Sequence, residues 1–183
     1  MFDPGVERAL VVVLGAHFDQ VRKGSGVPYV VHPLHVALLL ARLGYPSEVI
    51  QAGLLHDVVE DCADWNLKRV ELEFGACVAS IVGEVTEDKS RSWEEREQWT
   101  VEQVPTLSPE AVAVKACDKL HNLEGLVRAL MGSEGTDMVW AHFRGGRDRT
   151  IEVASQLVDA LALRLDGPLV EALRQALANL RRI

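Results

Sequence analysis

The residues of this chain best suited to chemistry lie in the run 54–61, where an imidazole and three carboxylates follow an apolar stretch. On a continuous helix, Glu60 and Asp61 lie one turn beyond the His56–Asp57 pair. Carboxylates that share a surface repel one another unless a cation lies between them, and imidazole with carboxylate suits a divalent first-row ion. A solvated acidic helix end is the alternative, although the helix dipole disfavours acids at a C-terminus. The run therefore favours a metal site.

Two further runs, 28–33 and 114–123, carry additional candidate ligands. In the later run, Asp118 lies among apolar neighbours with Asn122 one turn beyond it. A carboxylate in such surroundings must be paired, hydrogen-bonded or metal-bound, and a salt bridge to Lys115 or Lys119 is the alternative to a metal. In the earlier run, a loop leads into a helix and His32 stands at the junction.

The composition limits the classes of function. The chain has 183 residues, and 27 acidic against 19 basic side chains give a net charge of −8 and a pI near 5.2. This balance argues against nucleic acid and anionic membranes as partners, so an anionic ligand needs a local basic pocket. The longest uncharged apolar stretches are far shorter than a membrane span. Three cysteines without a CxxC motif, and an N-terminus without a basic cluster, predict a cytoplasmic protein.

The elements that must position these side chains are predicted to be helices. Apolar residues recur at helical spacing along nearly the whole chain, and no alternating run indicates a strand. We therefore expect an all-α fold, a single helical bundle spanning residues 1–183. Ser108 followed by Pro109 is typical of a helix start. The helices are predicted at about 4–18, 32–44, 47–61, 66–73, 75–86, 92–103, 110–131, 137–164 with an interruption near 145–146, and 169–181.

Six short motifs follow one another along this chain in the order that a known family shows. They are HFDQVRK (17–23), PY (28–29), HP (32–33), HDVVED (56–61), EVTEDKS (84–90) and DKLHNL (118–123). The set resembles the HD-domain metal-dependent phosphohydrolases. Within these it resembles the hydrolase domain of RelA/SpoT proteins and the stand-alone small alarmone hydrolases. The resemblance covers about residues 8–160, which form the motif-bearing core of the expected domain.

The resemblance implies one metal ion with an acidic pair beside it. Glu60 and Asp61 match the pair that positions or deprotonates the attacking water, and such assistance typically contributes about 10²- to 10⁴-fold. An ion that keeps open coordination positions lowers the pKa of bound water and supplies hydroxide near neutral pH. The implied ion is Mn²⁺, and its ligands would be His32, His56, Asp57 and Asp118.

The resemblance also implies the substrate, a phosphorylated purine nucleotide. The family cleaves the 3′-diphosphate of guanosine tetra- or pentaphosphate with water, leaving GDP or GTP plus pyrophosphate. Arg22 and Lys23 match positions that stack on the guanine and contact the nucleotide. Lys89 matches a loop that faces the diphosphate, with a simple exposed charge as the alternative. Asn122 matches a residue near the ribose.

Two positions depart from the pattern of the family. Gly125 stands where the long RelA/SpoT hydrolases usually carry a threonine, and no tyrosine follows Tyr45 to supply the late-helix tyrosine of small alarmone hydrolases. These departures favour one alternative, an HD phosphohydrolase acting on a nucleotide monophosphate or on the 2′-phosphate of NADPH. A non-catalytic nucleotide sensor is a third interpretation, against which the intact ligand set argues. For His35 and His121, ordinary packing is the expectation, and support of a metal ligand from outside the coordination sphere is the alternative. Self-association as a homo-oligomer is left open.

Overall fold

The computed structural model of the chain describes residues 2–22, 26–132 and 135–183. Throughout these ranges the regular structure is helical, apart from one isolated antiparallel bridge between Val21 and Pro28. The prediction of an all-α fold is confirmed. The α-helices are α1 (Pro4–Ala16), α2 (Val31–Arg42), α3 (Ser47–Leu55), α4 (Val58–Asp61), α5 (Leu67–Phe74), α6 (Ala76–Val85), α7 (Trp93–Gln103), α8 (Pro109–Met131), α9 (Thr136–Trp140), α10 (Gly146–Ala162) and α11 (Pro168–Arg182), with a 3₁₀ turn at Val104–Thr106.

The long helix α8 organises the packing of the bundle. It begins as the sequence predicts, because the Ser108 side chain accepts the Ala111 N–H and Pro109 occupies the first turn. It packs against α2, α3, α6, α10 and α11. An unbroken buried run extends from Ala111 to Cys117. Because so much of α8 is enclosed, the polar side chains beyond that run need polar partners or a cavity.

The single helix predicted over 47–61 is wrong, and the difference shapes the site. The chain forms α3 and then the separate short helix α4, with His56 and Asp57 in the turn between them. His56 Nδ1 lies 2.8 Å from the Gly53 carbonyl oxygen, and the Asp61 N–H donates to the Asp57 carbonyl at 2.9 Å. Both turn residues keep right-handed helical dihedral angles, so neither glycine nor proline is needed at the break. The continuous helical surface expected to carry all four polar groups is therefore interrupted.

A glycine allows α2 and α3 to approach each other closely. A Cβ atom at Gly53 would occupy the space of Leu40 Cδ1 and would lie 3.8 Å from the Cα of Ala37. Leu40 is itself fully buried, so it has little room to move aside. This close packing holds the start of α2 against the end of α3, where the two histidines of the site lie.

The C-terminal part of the bundle follows its predicted boundaries. The interruption expected near residues 145–146 separates α9 from α10, and Gly146 has a φ of +64°, which a side-chain-bearing residue rarely adopts. Arg164, just after α10, donates to the carbonyl oxygens of Val104, Pro105 and Leu107 and so ties α10 to the 3₁₀ turn. Among the described residues, none of the helices combines the length and apolar character needed to cross a membrane.

Candidate active site

The four side chains predicted as metal ligands come together from three parts of the fold. His32 lies in the first turn of α2, His56 and Asp57 in the turn after α3, and Asp118 in the middle of α8. His32 Nε2 lies 3.2 Å from His56 Nε2, 3.2 Å from Asp118 Oδ1 and 3.5 Å from Asp57 Oδ2. His56 Nε2 lies 3.2 Å from Asp57 Oδ2. One ligand atom each from His32, His56 and Asp118 fall within 4.8 Å of one another.

The electrostatics of this cluster favour positive charge at its centre. Burial opposes the charged form of His56, but Asp57 outweighs it and raises the pKa of the imidazole to about 9. Burial likewise opposes ionisation of the two aspartates. The facing histidines outweigh it, holding the pKa of Asp57 well below its usual range and that of Asp118 at about 2. The carboxylates therefore stay ionised and draw a cation.

The donor set fits a divalent metal ion. Imidazole nitrogens and carboxylate oxygens converge on one point, and within the described residues no lysine or arginine nitrogen comes within 4.0 Å of either carboxylate. The salt bridge considered for Asp118 does not form with Lys115, whose Nζ donates to the Val85 carbonyl at 3.3 Å and lies 3.6 Å from Glu87. Imidazole and carboxylate together suit Mn²⁺, Fe²⁺ or Zn²⁺ better than the purely oxygen-binding ions.

Three hydrogen bonds from neighbouring side chains hold the candidate ligands in place, and the sequence analysis gave no role to one of these neighbours, Tyr29. The Tyr29 hydroxyl donates to Asp57 Oδ2 at 2.6 Å, and Asn122 Nδ2 donates to Asp118 Oδ1 at 2.6 Å. His121 Nδ1 lies 2.9 Å from His32 Nδ1, a polar contact that agrees with the alternative to ordinary packing considered for this residue. Burial and the neighbouring Asp57 raise the pKa of Tyr29, so its hydroxyl stays protonated as a donor. Tyr29 lies within one of the quoted motifs, which was the available signal for it.

The two acids predicted to handle water lie on α4 and have different surroundings. Glu60 Oε1 accepts the backbone N–H of Glu87 at 2.5 Å. Burial raises the pKa of Glu60 to about 7, close to neutral pH. Asp61 instead forms an ion pair with Lys89, and both of these side chains are partly open to solvent. The lysine predicted to face the diphosphate thus contacts an acid of the predicted catalytic pair.

Glu87 is the centre of a charged cluster that the sequence analysis did not predict. Its carboxylate lies 3.2 Å from Arg96 Nη1 and 3.6 Å from Lys115 Nζ, and it accepts the Thr100 hydroxyl at 3.3 Å. These partners lie on α7 and α8, so they fix the loop after α6 against both helices. The loop in turn carries the N–H that binds Glu60. Only the EVTEDKS motif pointed to this segment.

A large cavity connects the metal cluster to the residues predicted to bind nucleotide. Its volume is about 1450 Å³, and both Arg22 and Asn122 line it. Arg22 Nη2 donates to Asn122 Oδ1 at 2.7 Å, so one chain of hydrogen bonds runs from Arg22 through Asn122 to Asp118. Gly125 lies on the same wall, where a Cβ atom would be 4.0 Å from Arg22 Nη2. Lys23 lies outside the described residues.

The lining of the cavity also combines apolar and basic side chains. It includes Leu126, Met138, Val139 and Phe143 together with Arg128, His142 and Arg144. The Phe143 ring also packs on the buried Trp140, at 5.7 Å between ring centroids. A surface of this kind suits a ligand with a flat ring at one end and phosphate groups at the other.

Comparison with known proteins identifies the family. The sequence profile described as HD domain matches residues 9–150, most of the chain. The chain belongs to the HD-domain family. Guanosine-3′,5′-bis(diphosphate) 3′-pyrophosphohydrolase MESH1 of Mus musculus is 41% identical to this HD-domain protein over 162 residues, which cover 87% of this chain and 85% of the mouse protein. MESH1 of Danio rerio is 44% identical over 148 residues, covering 79% and 77%.

A solved structure agrees with these relatives. It is described as a metazoan ortholog of SpoT that hydrolyses ppGpp, and it matches with a TM-score of 0.82 and 32% identity over 96% of this chain and 95% of that chain. The resemblance to small stand-alone alarmone hydrolases is therefore confirmed for the family and fold of this HD-domain protein. The individual site residues stay predictions, supported by the geometry described above.

Proposed function

We propose that this HD-domain protein hydrolyses the 3′-diphosphate of guanosine tetra- and pentaphosphate, giving GDP or GTP plus pyrophosphate. One observation carries the proposal: the His32–His56–Asp57–Asp118 cluster opens into the same cavity that Arg22 and Asn122 line. The volume of that cavity, about 1450 Å³, leaves room for a nucleotide bearing two diphosphates. The mouse and zebrafish relatives named for this reaction cover most of the chain.

The cluster His32, His56, Asp57 and Asp118 would hold one divalent ion, which we propose is Mn²⁺. An ion bound there polarises phosphate oxygens and makes water more acidic. The hydrogen bonds from Tyr29 and Asn122 keep the two carboxylates oriented toward it.

Glu60 is the proposed general base. With a pKa near 7 and one oxygen fixed by the Glu87 N–H, it can accept a proton from water at neutral pH. The water oxygen forms a bond to the phosphorus attached to the 3′ oxygen of the ribose. The bond between that phosphorus and the 3′ oxygen breaks, the 3′ oxygen takes up a proton, and pyrophosphate leaves. Asp61 and its ion-pair partner Lys89 lie beside this path on the solvent side.

The nucleotide would be held by the basic and planar groups of the cavity. The Arg22 guanidinium can lie flat against the guanine, and Asn122 can bind the ribose through its amide. Lys23 and Lys89 would add positive charge for the phosphates. These groups would provide the local attraction for an anion that the net charge of −8 does not.

Product analysis tests this proposal directly. The protein is incubated with Mn²⁺ and guanosine tetraphosphate, and the products are separated by anion-exchange chromatography. We expect equal amounts of GDP and pyrophosphate. Asp118→Asn should lose both Mn²⁺ binding and activity, because it removes one ligand charge. Release of orthophosphate in place of pyrophosphate, or full activity with normal Mn²⁺ content in Asp118→Asn, would show that the assignment is wrong.

One observation favours a second candidate, hydrolysis of another phosphorylated nucleotide. Gly125 leaves the cavity wall beside Arg22 without a side chain, and the sequence has no tyrosine after Tyr45. A panel of nucleotide monophosphates and NADPH, with separate detection of phosphate and pyrophosphate, distinguishes the two candidates. The same panel in Asp118→Asn protein shows whether any turnover comes from this site. Binding of the alarmone without product at saturating Mn²⁺ would instead indicate a sensor.

Three other expectations from the sequence stay predictions. They are a single domain over residues 1–183, a cytoplasmic location and self-association as a homo-oligomer.

A further inference from the structure

His121 makes a polar contact with a proposed metal ligand on the side that faces away from the cluster. Its Nδ1 lies 2.9 Å from His32 Nδ1, and the two ring centroids are 4.8 Å apart. Both rings are almost fully buried, at 5% and 2% exposure. The contact joins the middle of α8 to the first turn of α2, and these two helices pack directly on each other.

The other nitrogen of His32 determines which ring donates in this contact. His32 Nε2 faces His56 Nε2, Asp118 and Asp57, so it is the nitrogen available to the cluster. A ring nitrogen binds a metal only when it carries no proton, and the neutral imidazole then has its proton on the other nitrogen. His32 Nδ1 must therefore be the donor, and His121 Nδ1 must be the acceptor. His121 consequently carries its own proton on Nε2.

We propose that His121 is a positioning residue that fixes the tautomer and orientation of His32 for metal binding. This inference rests on the metal site of the proposed function, and it assigns a role to a residue for which the sequence analysis favoured ordinary packing over support of a metal ligand. Histidines that bind metals almost always donate their second N–H to such a partner, and loss of the partner typically weakens metal binding about 10- to 100-fold.

A second histidine provides a matched control. His35 is exposed, and its ring packs edge-on against His121 with ring centroids 4.9 Å apart. It makes aromatic contact with His121 but no described hydrogen bond to a member of the cluster. If His121 acted only by filling space, replacing either ring with phenylalanine would be equally harmless. If His121 acts as a hydrogen-bond acceptor, its replacement should weaken Mn²⁺ binding and the replacement of His35 should not.

Mn²⁺ affinity, measured by competition with a chelator, tests the proposal in four proteins: wild type, His121→Phe, His121→Asn and His35→Phe. The asparagine can place its Oδ1 where the imidazole Nδ1 lies, so it keeps an acceptor. We expect His121→Phe to bind Mn²⁺ about 10- to 100-fold more weakly. His121→Asn and His35→Phe should stay within about threefold of wild type, a difference below 1 kcal/mol. Circular dichroism and thermal melting establish that each variant is folded.

A spectroscopic measurement keeps the test decisive even if His121→Phe does not fold. Long-range ¹H–¹⁵N correlation spectra of the wild-type protein with Zn²⁺ report which nitrogen of His32 carries the proton. We expect the proton on Nδ1. A proton on Nε2, or unchanged Mn²⁺ affinity in a folded His121→Phe protein, or His121→Asn binding as weakly as His121→Phe, would overturn the proposal.

The outcome is separable from that of the proposed function. A wild-type protein that binds Mn²⁺ and shows the expected affinity differences, but releases no pyrophosphate from guanosine tetraphosphate, contradicts the function and leaves the role of His121 intact. A wild-type protein that binds no Mn²⁺ contradicts both.

Discussion

Replacing Glu60 with glutamine should make the metal-free protein more stable at high pH while it removes the proposed general base. Glu60 lies in a poorly solvated position, and burial is the main reason why its pKa rises from 4.5 to about 7. The neighbouring acids Glu87 and Asp57 raise the pKa further, while the Glu87 N–H and Lys115 oppose the rise. Ionisation of Glu60 is thus less favourable in the folded protein than in the unfolded chain.

The sign and size of the effect follow from this difference. Because the folded-state pKa lies above the unfolded value, the folded protein holds the proton more tightly, and the free energy of unfolding falls as pH rises from about 4.5 to about 7. A difference between 4.5 and about 7 corresponds to about 3 kcal/mol when each pKa unit is worth about 1.4 kcal/mol. Glutamine keeps an acceptor for the Glu87 N–H but never ionises. Glu60→Gln should therefore gain up to about 3 kcal/mol at pH 8.5 and less than about 1 kcal/mol at pH 5.

Urea unfolding in the presence of a chelator, at pH 5 and pH 8.5, measures this difference. Asp61→Asn is the matched control, since Asp61 lies on the same helix but pairs with Lys89 at a partly exposed site. Its effect should stay below about 1 kcal/mol at both pH values. A Glu60→Gln difference that is the same at both pH values, or a loss of stability at pH 8.5, would refute the reasoning. In the Mn²⁺-loaded enzyme, the same variant should keep its metal and lose about 10²- to 10⁴-fold in turnover.

Three other substitutions have defined expectations. Tyr29→Phe removes the hydroxyl that donates to Asp57 at 2.6 Å, and the metal-free protein should lose about 1–3 kcal/mol of unfolding free energy in a urea titration. Gly53→Ala should lower the free energy of unfolding by about 1–3 kcal/mol, because the new methyl group crowds Leu40. Gly15→Ala, where a Cβ meets no atom within 4 Å, should instead raise it by up to about 1 kcal/mol. Equal effects of the two substitutions in thermal melts would contradict this. Asn122→Ala and Arg22→Ala should raise the KM for the alarmone non-additively, because the two side chains are hydrogen-bonded at 2.7 Å, and additive effects in a double-mutant cycle would deny the coupling.

Local signals were sufficient to predict most of the helices. Ser108 and Pro109 mark the start of α8 through a side-chain cap and a proline in the first turn, both of which depend only on neighbouring residues. Gly146 marks the interruption before α10 because its positive φ is a local requirement. The break at His56 and Asp57 carries no such mark, since both residues have helical dihedral angles. At that break the side chains of His56 and Asp57 contact residues that are distant in the chain. The spacing of apolar residues in the sequence does not reveal such contacts.

The sequence was sufficient to predict the candidate metal ligands, but less so the residues that hydrogen-bond to the site. His56, Asp57 and Asp118 attract notice as charged or polar groups in apolar surroundings, which need a compensating partner. The partners of these groups are distant in the chain. His121 is 89 residues from His32, and Glu87 is 27 residues from Glu60. Only the folded chain brings such pairs together, through the packing of α2 on α8 and the approach of the loop after α6 to Glu60.

Helix α8 carries the candidate metal ligand Asp118, the amide of Asn122 and the bare position Gly125 on successive turns of one rod. At 1.5 Å per residue, the first and last of these are about 10 Å apart, a span comparable to that between a ribose 3′ phosphate and a purine ring. If the proposed function holds, substitutions at positions 122 and 125 should change the preference for sugar and base without moving the backbone at Asp118. Under the same proposal, a bend in α8 should alter substrate preference and metal binding together.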